Sequence, residues 1–169
     1  MIYMSIRQRT YGWEDPAPLA SKAKQLAGLE FLEKMINAEF PLPPLIHTLD
    51  FKVSGIQPGS AVFSFQPQEF HYNPLGSVHG GVITAILDSA MGCALHSVLP
   101  LGTGYTSVDI KVNFLKPINI KTGSLKAVGT IINQGNRTAL LEGRLTDEND
   151  KLYAHATSTC MIFRADLIK

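Results

Sequence analysis

The sequence has no cysteine pair at metal-ligand spacing, no long basic block, no leader-like start and no Gly-x-Ser-x-Gly nucleophile elbow. Each absence removes a class of function. The two cysteines, Cys93 and Cys160, stand far apart in apolar surroundings and read as unpaired core thiols, which fits the cytoplasm. A net charge of +1 without a Lys/Arg cluster gives no electrostatic footprint for nucleic acid or an anionic membrane. Residues 1–9 mix apolar and basic side chains without a continuous hydrophobic stretch, so they read as neither a secretory signal nor a membrane span. His47, His71 and His155 lack companions at ligand spacing, which points to surface or structural roles and to no metal. There is no repeat and no low-complexity tract.

What is present suits one domain with a substantial core: 169 residues, 45% of them hydrophobic. Residues 19–40 are amphipathic through Leu26, Leu29, Leu32, Met35 and Ile36, which predicts a helix stopped by Pro41-Leu-Pro-Pro44. Residues 10–18 read as a linker before it. Stretches 48–56 and 61–66 flank Gln57-Pro-Gly59 as a predicted hairpin, and 106–114, 123–133, 137–145 and 152–162 form a series of four further strands. The whole is six strands with one central helix, preceded by an extension over residues 1–44, so that the main domain occupies 45–169.

That helix is the run 82–98, apolar on almost every face, which predicts protein packed around all of it. Its one carboxylate, Asp88, shares a face with Thr84 four residues earlier. A carboxylate there either bonds Thr84, a backbone group or a partner helix, or it serves chemistry. Ahead of the helix stands Asn73-Pro-Leu-Gly76-Ser-Val-His79-Gly80-Gly81. Glycines at a helix start admit close approach to N–H groups that have no intrahelical acceptor, and such groups polarise a carbonyl. Gly80 and Asp88 are eight positions apart, about 12 Å along a helix axis, so one carbonyl cannot touch both in the same chain. If both serve one reaction, the acid comes from a second, antiparallel copy.

The ordered set Asn73, Gly76, His79-Gly80-Gly81 and Asp88, followed by Tyr105-Thr106-Ser107 and a strand ending at Lys116-Pro117, resembles the hotdog-fold acyl-CoA thioesterases of the phenylacetate-degradation branch over residues 49–164. The resemblance implies an α+β hotdog fold, a six-stranded antiparallel sheet wrapped around the central helix. It also implies a homodimer, paired again into a dimer of dimers, and an acyl-CoA substrate whose CoA is no separate cofactor. On that reading the Gly80 N–H polarises the thioester carbonyl, the facing subunit's acid at position 88 is general base or nucleophile, and Asn73 and Ser107 position water or carbonyl. Thr106 can take the place of Ser107 if the strand register differs.

Other residues have double readings. His79 orients the site loop or touches substrate, and Gly81 and Thr84 border the same helix start. His96 suits a dipole partner at the helix C-terminus, and Asp109 satisfies Ser107 or a turn. The Gly135-Asn136-Arg137 turn is a hairpin whose cation would also suit a CoA phosphate. The same fold can bind acyl-CoA without turnover or hydrate an acyl thioester. A pure binder needs no acid opposite a helix N-terminus, and hydratases pair a His with an acid in another local pattern.

Overall fold

The computed structural model describes residues 5–164. Three short helices come first: α1 (Pro16–Ala23), α2 (Gly28–Ile36) and α3 (Pro44–Leu49). Strands β1 (Phe51–Gln57) and β2 (Ser60–Phe65) lead to the long α4 (Gly80–His96), and β3 (Thr103–Phe114), β4 (Leu125–Gln134), β5 (Thr138–Asp147) and β6 (Leu152–Arg164) complete the chain. All strand pairings are antiparallel, in the order β1-β2-β4-β5-β6-β3. The sheet carries α4 on one face, with Ile86, Leu87, Ala90, Met91 and Leu95 fully buried against Phe63, Leu125, Leu141 and Leu145. This is the six-stranded, single-central-helix arrangement anticipated above.

Helix and sheet approach most closely at two glycines. Gly129 of β4 and Gly143 of β5 are cross-strand neighbours. A Cβ at Gly129 would overlap the α4 backbone at Ala90, and one at Gly143 would come within 3.2 Å of Leu87 and Met91. The lack of side chains there lets the strands lie directly on α4.

The N-terminal segment departs from expectation. Residues 19–40 are two helices rather than one, because Gly28 must abut the end of α4: its N–H donates to Leu99 O at 3.0 Å, and a Cβ there would overlap the His96 carbonyl. α1 starts inside the expected linker, at Pro16, with Asp15 accepting from Ala17 N at 2.9 Å. The predicted strand from residue 48 begins at Phe51 instead. Pro44 opens α3, where its missing N–H is no loss, and Asp50 then adopts a left-handed backbone (φ 52°) that turns the chain into β1.

His96 is not a cationic dipole partner. Its ring meets Phe31 edge-on at 5.7 Å and Tyr105 at 5.8 Å, and neither nitrogen has a hydrogen-bond partner among the described residues. Burial pushes its pKa below the usual 6.5 and keeps it neutral. His71, also buried, is shifted down by the same cause. The unfolded chain therefore takes up more protons below pH 6.5, so stability falls as pH drops through that value and levels off below the folded pKa values. The midpoint of thermal unfolding should decrease from pH 7 to pH 5, and His96→Leu should flatten that dependence in part, with His71 supplying the remainder. An identical pH profile in the variant would refute the buried neutral ring.

Candidate functional site

The loop before α4 is shaped by Asn73. Its Oδ1 accepts from Leu75 N (2.9 Å) and Ser77 N (3.3 Å), its Nδ2 donates to Ser77 Oγ (3.1 Å), and Gly76 closes the turn at φ +78°. Val78 N then donates to Ile118 O at 2.8 Å and fixes the loop against the segment after β3.

One residue at the α4 start keeps an N–H with no acceptor among the described residues. His79 is the N-cap, and its ring Nδ1 accepts from Gly81 N at 2.9 Å, which requires the tautomer with its hydrogen on Nε2. Val82 N and Ile83 N both donate to His79 O. Gly80 N–H is left with no acceptor among the described residues. A Cβ at this position would stand 3.0 Å from the tip of the Phe114 ring, a tight contact that glycine avoids. Thus Gly81 serves the cap, His79 orients the loop, and Gly80 is the free donor. Thr84 does not bond Asp88; its hydroxyl donates back to Gly80 O at 2.9 Å.

Asp88 is held from the strand side. Ser107 Oγ of β3 donates to Asp88 Oδ1 at 2.8 Å and lies 3.8 Å from Cys160 Sγ. Ser107, not Thr106, is therefore the hydroxyl that reaches Asp88, the two residues pointing to opposite faces of the strand. A bulge between Ser107 and Asp109 breaks the alternation that would have put them on one face, and Asp109 accepts from Thr159 N at 3.1 Å rather than from Ser107.

These residues border two separate cavities. Asn73, Gly80, Ile83, Phe114 and Pro117 line one of about 320 Å³. Asp88, Ser89, Cys93, Tyr105 and Ser107 line the other, of about 230 Å³, whose remaining wall is apolar and includes Met35 and Ile46 of the N-terminal helices. No residue borders both. Burial next to Asp88 raises the Cys93 thiol to about 12 and pushes the Tyr105 phenol well above 10, so both stay protonated. The Tyr105 hydroxyl lies over Gly92. Sequence reasoning missed Tyr105 and Met35, since only the folded chain brings them to Asp88.

Asn136 and Arg137 are in the exposed turn between β4 and β5. Thr138 beside them is in register with Met161, which is in register with Thr106, so the turn sits two strands, about 10 Å, from the Ser107 row. Among the described residues no group of three or more His, Cys, Asp or Glu could hold a metal ion, and no helix is long and apolar enough to cross a membrane.

A six-stranded antiparallel sheet packed on one long helix is the hotdog fold. Residues 75–154 match the profile of the thioesterase superfamily. A provisionally named esterase of Saccharolobus solfataricus is 32% identical over 89 residues, 53% of this chain and 57% of that one, so the match spans little more than half of that relative. Acyl-coenzyme A thioesterase 13 of Mus musculus is 27% identical over 131 residues, 76% of this chain and 91% of its own. Among solved structures, a phenylacetic acid degradation-related protein of Ralstonia eutropha superposes with a TM-score of 0.69 at 27% identity, covering 76% of this chain and 97% of the other.

The cap assigned to His79 has a measurable consequence. His79→Ala frees Gly81 N–H and should lower unfolding free energy in urea by about 1 kcal/mol, whereas His79→Asn, which keeps an acceptor, should restore most of it. Equal losses in the two variants would show that the ring is not the cap.

Proposed function

We propose that this protein hydrolyses acyl-CoA thioesters at sites completed by two copies of the chain. The observation that carries the reading is the free Gly80 N–H in one cavity and the Ser107-held Asp88 in another, about 12 Å away along α4, with no shared lining residue. Two further features support a partner copy. β3 is an edge strand with Val108 64% and Phe114 54% exposed, and the Thr84–Ala85–Asp88–Ser89 side of α4 is the one the sheet leaves half-buried. An antiparallel second copy along β3 would cover both and set Asp88 of one chain opposite Gly80 of the other.

In the proposed reaction the thioester carbonyl oxygen accepts from Gly80 N–H at the positive end of α4. Asp88 has one oxygen held by Ser107; the other takes a proton from water as the water oxygen attacks the carbonyl carbon. The oxyanion collapses, the C–S bond breaks, and the CoA thiolate recovers the proton from Asp88. A thioester carbonyl has little resonance stabilisation and a good leaving group, so one donor and one carboxylate suffice without a Ser-His-Asp triad. Arg137 and Asn136, exposed near the Ser107 end, are the proposed contacts for a CoA phosphate.

Asp88→Asn should lower the rate of thiol release from acyl-CoA by about two orders of magnitude or more with folding intact. Unchanged turnover in a folded variant would remove Asp88 from the mechanism. Shared sites also predict complementation. Gly80→Val and Asp88→Asn proteins, each inactive alone, should regain about a quarter of parental activity when unfolded together and refolded as a mixture, because half of the dimers are then mixed and each carries one intact site. Absence of recovery in a mixture that demonstrably contains mixed dimers would put the site within one chain.

A further inference from the structure

The 230 Å³ cavity at Asp88 has a second cavity behind it. An outer groove of about 570 Å³ runs beneath the chain segment Thr10–Gly12, between α2, α3 and β1, and Met35, Ile46, Phe51 and Val53 line both spaces. Those four side chains are therefore the wall between them. Phe51 is 1% exposed and tightly held, whereas Met35 is an unbranched side chain at the end of α2, where the small Leu19–Phe31–Leu32–Met35 cluster meets Cys93. The inner space has its polar groups, Asp88 and Ser107, together on the α4–β3 side, and its walls elsewhere are apolar. The outer groove adds Ile36 and Leu42 to that shared wall and is also bordered by Arg9, His47, Asp50 and Lys52, so an acyl tail reaches it only where the wall is opened.

We propose that Met35 and Ile46 act as a stop at the end of the acyl pocket, restricting this chain to apolar acyl groups of up to about eight carbons, at roughly 30 Å³ for a group the size of a water molecule. The inference rests on the thioesterase reading above and assigns the first forty-odd residues a task in selecting substrate rather than in chemistry. Both stop residues come from the helices that precede the sheet, and Gly80, Asp88 and Ser107 all lie after them. An acyl chain that is too long meets the wall, and the thioester is then held back from the carboxylate, so discrimination acts on kcat/KM.

The test is a length series, butanoyl- to palmitoyl-CoA, with thiol release measured on the full chain. The parent should be most efficient at or below octanoyl and at least about tenfold lower on palmitoyl. Met35→Ala should open the wall into the outer groove and raise kcat/KM on palmitoyl relative to hexanoyl about tenfold or more. Met35→Phe fills the same place and should act in the opposite sense, lowering octanoyl relative to butanoyl, so that the idea stays testable if the smaller side chain weakens the fold. A parent that handles palmitoyl as well as octanoyl, or variants that both keep the parental ratios, would overturn the stop. Non-hydrolysable thioether analogues of the same lengths, titrated calorimetrically, separate the two readings. A length order in binding without any thiol release sinks hydrolysis and retains the stop, and hydrolysis without a length order sinks the stop alone.

Discussion

A helix that is apolar on nearly every face cannot stand in water, and the burial of α4 governs the rest of this molecule. The sheet achieves it by direct backbone approach: Gly129 and Gly143, side by side on β4 and β5, remove the side chains that would hold the strands away from Ala90 and Met91. With α4 seated at that depth, Leu87, Met91 and Leu95 are fully enclosed and the helix cannot rotate without exposing them. Its start and its carboxylate are consequently displayed at fixed points. A donor at Gly80 and an acid at Asp88 gain their geometry from a core that has nothing to do with chemistry.

What the amino-acid pattern shows about the fold is what local periodicity can carry. The unbroken apolar run of α4, the β-formers between turn residues and the prolines after α2 are local signals, and six strands with one central helix follow from them. The failures are all nonlocal. Nothing within residues 19–40 says that Gly28 must press on the carbonyl of His96, and nothing near Pro44 separates a helix opener from a breaker until Ile46 is seen buried in the core. Likewise the bulge after Ser107 is a property of the β3–β6 pairing, and it reassigns Asp109 to a backbone N–H of another strand.

The candidate site was legible to the same degree. Glycines before an apolar helix announce open N–H groups, and one acid on that helix announces itself by its expense. Which N–H stays open could not be read, because the answer depends on the His79 ring turning back onto Gly81. Nor could the partner of Asp88, since Thr84 at helical spacing is the nearer candidate in sequence and instead bonds the Gly80 carbonyl. The apolar wall of the Asp88 cavity was the least legible, because Met35, Ile46 and Val53 come from three separate elements that meet only in the folded chain.

The proposed two-chain site resolves two structural problems with one contact. An edge strand with exposed apolar side chains invites uncontrolled pairing, and a helix face left half-covered remains in contact with water at a free-energy cost. A two-fold axis beside β3 would pair that edge with its own copy, which takes both β3 edges out of further addition, and would cover the Asp88 side of α4. It would also run the two α4 helices in opposite directions, so the 12 Å that separates donor and acid within a chain becomes the offset that aligns them between chains. Because the axis repeats every contact, each dimer would hold two equivalent sites, and neither would exist in a lone chain. Catalytic competence would then depend on the same association that removes the exposed edge.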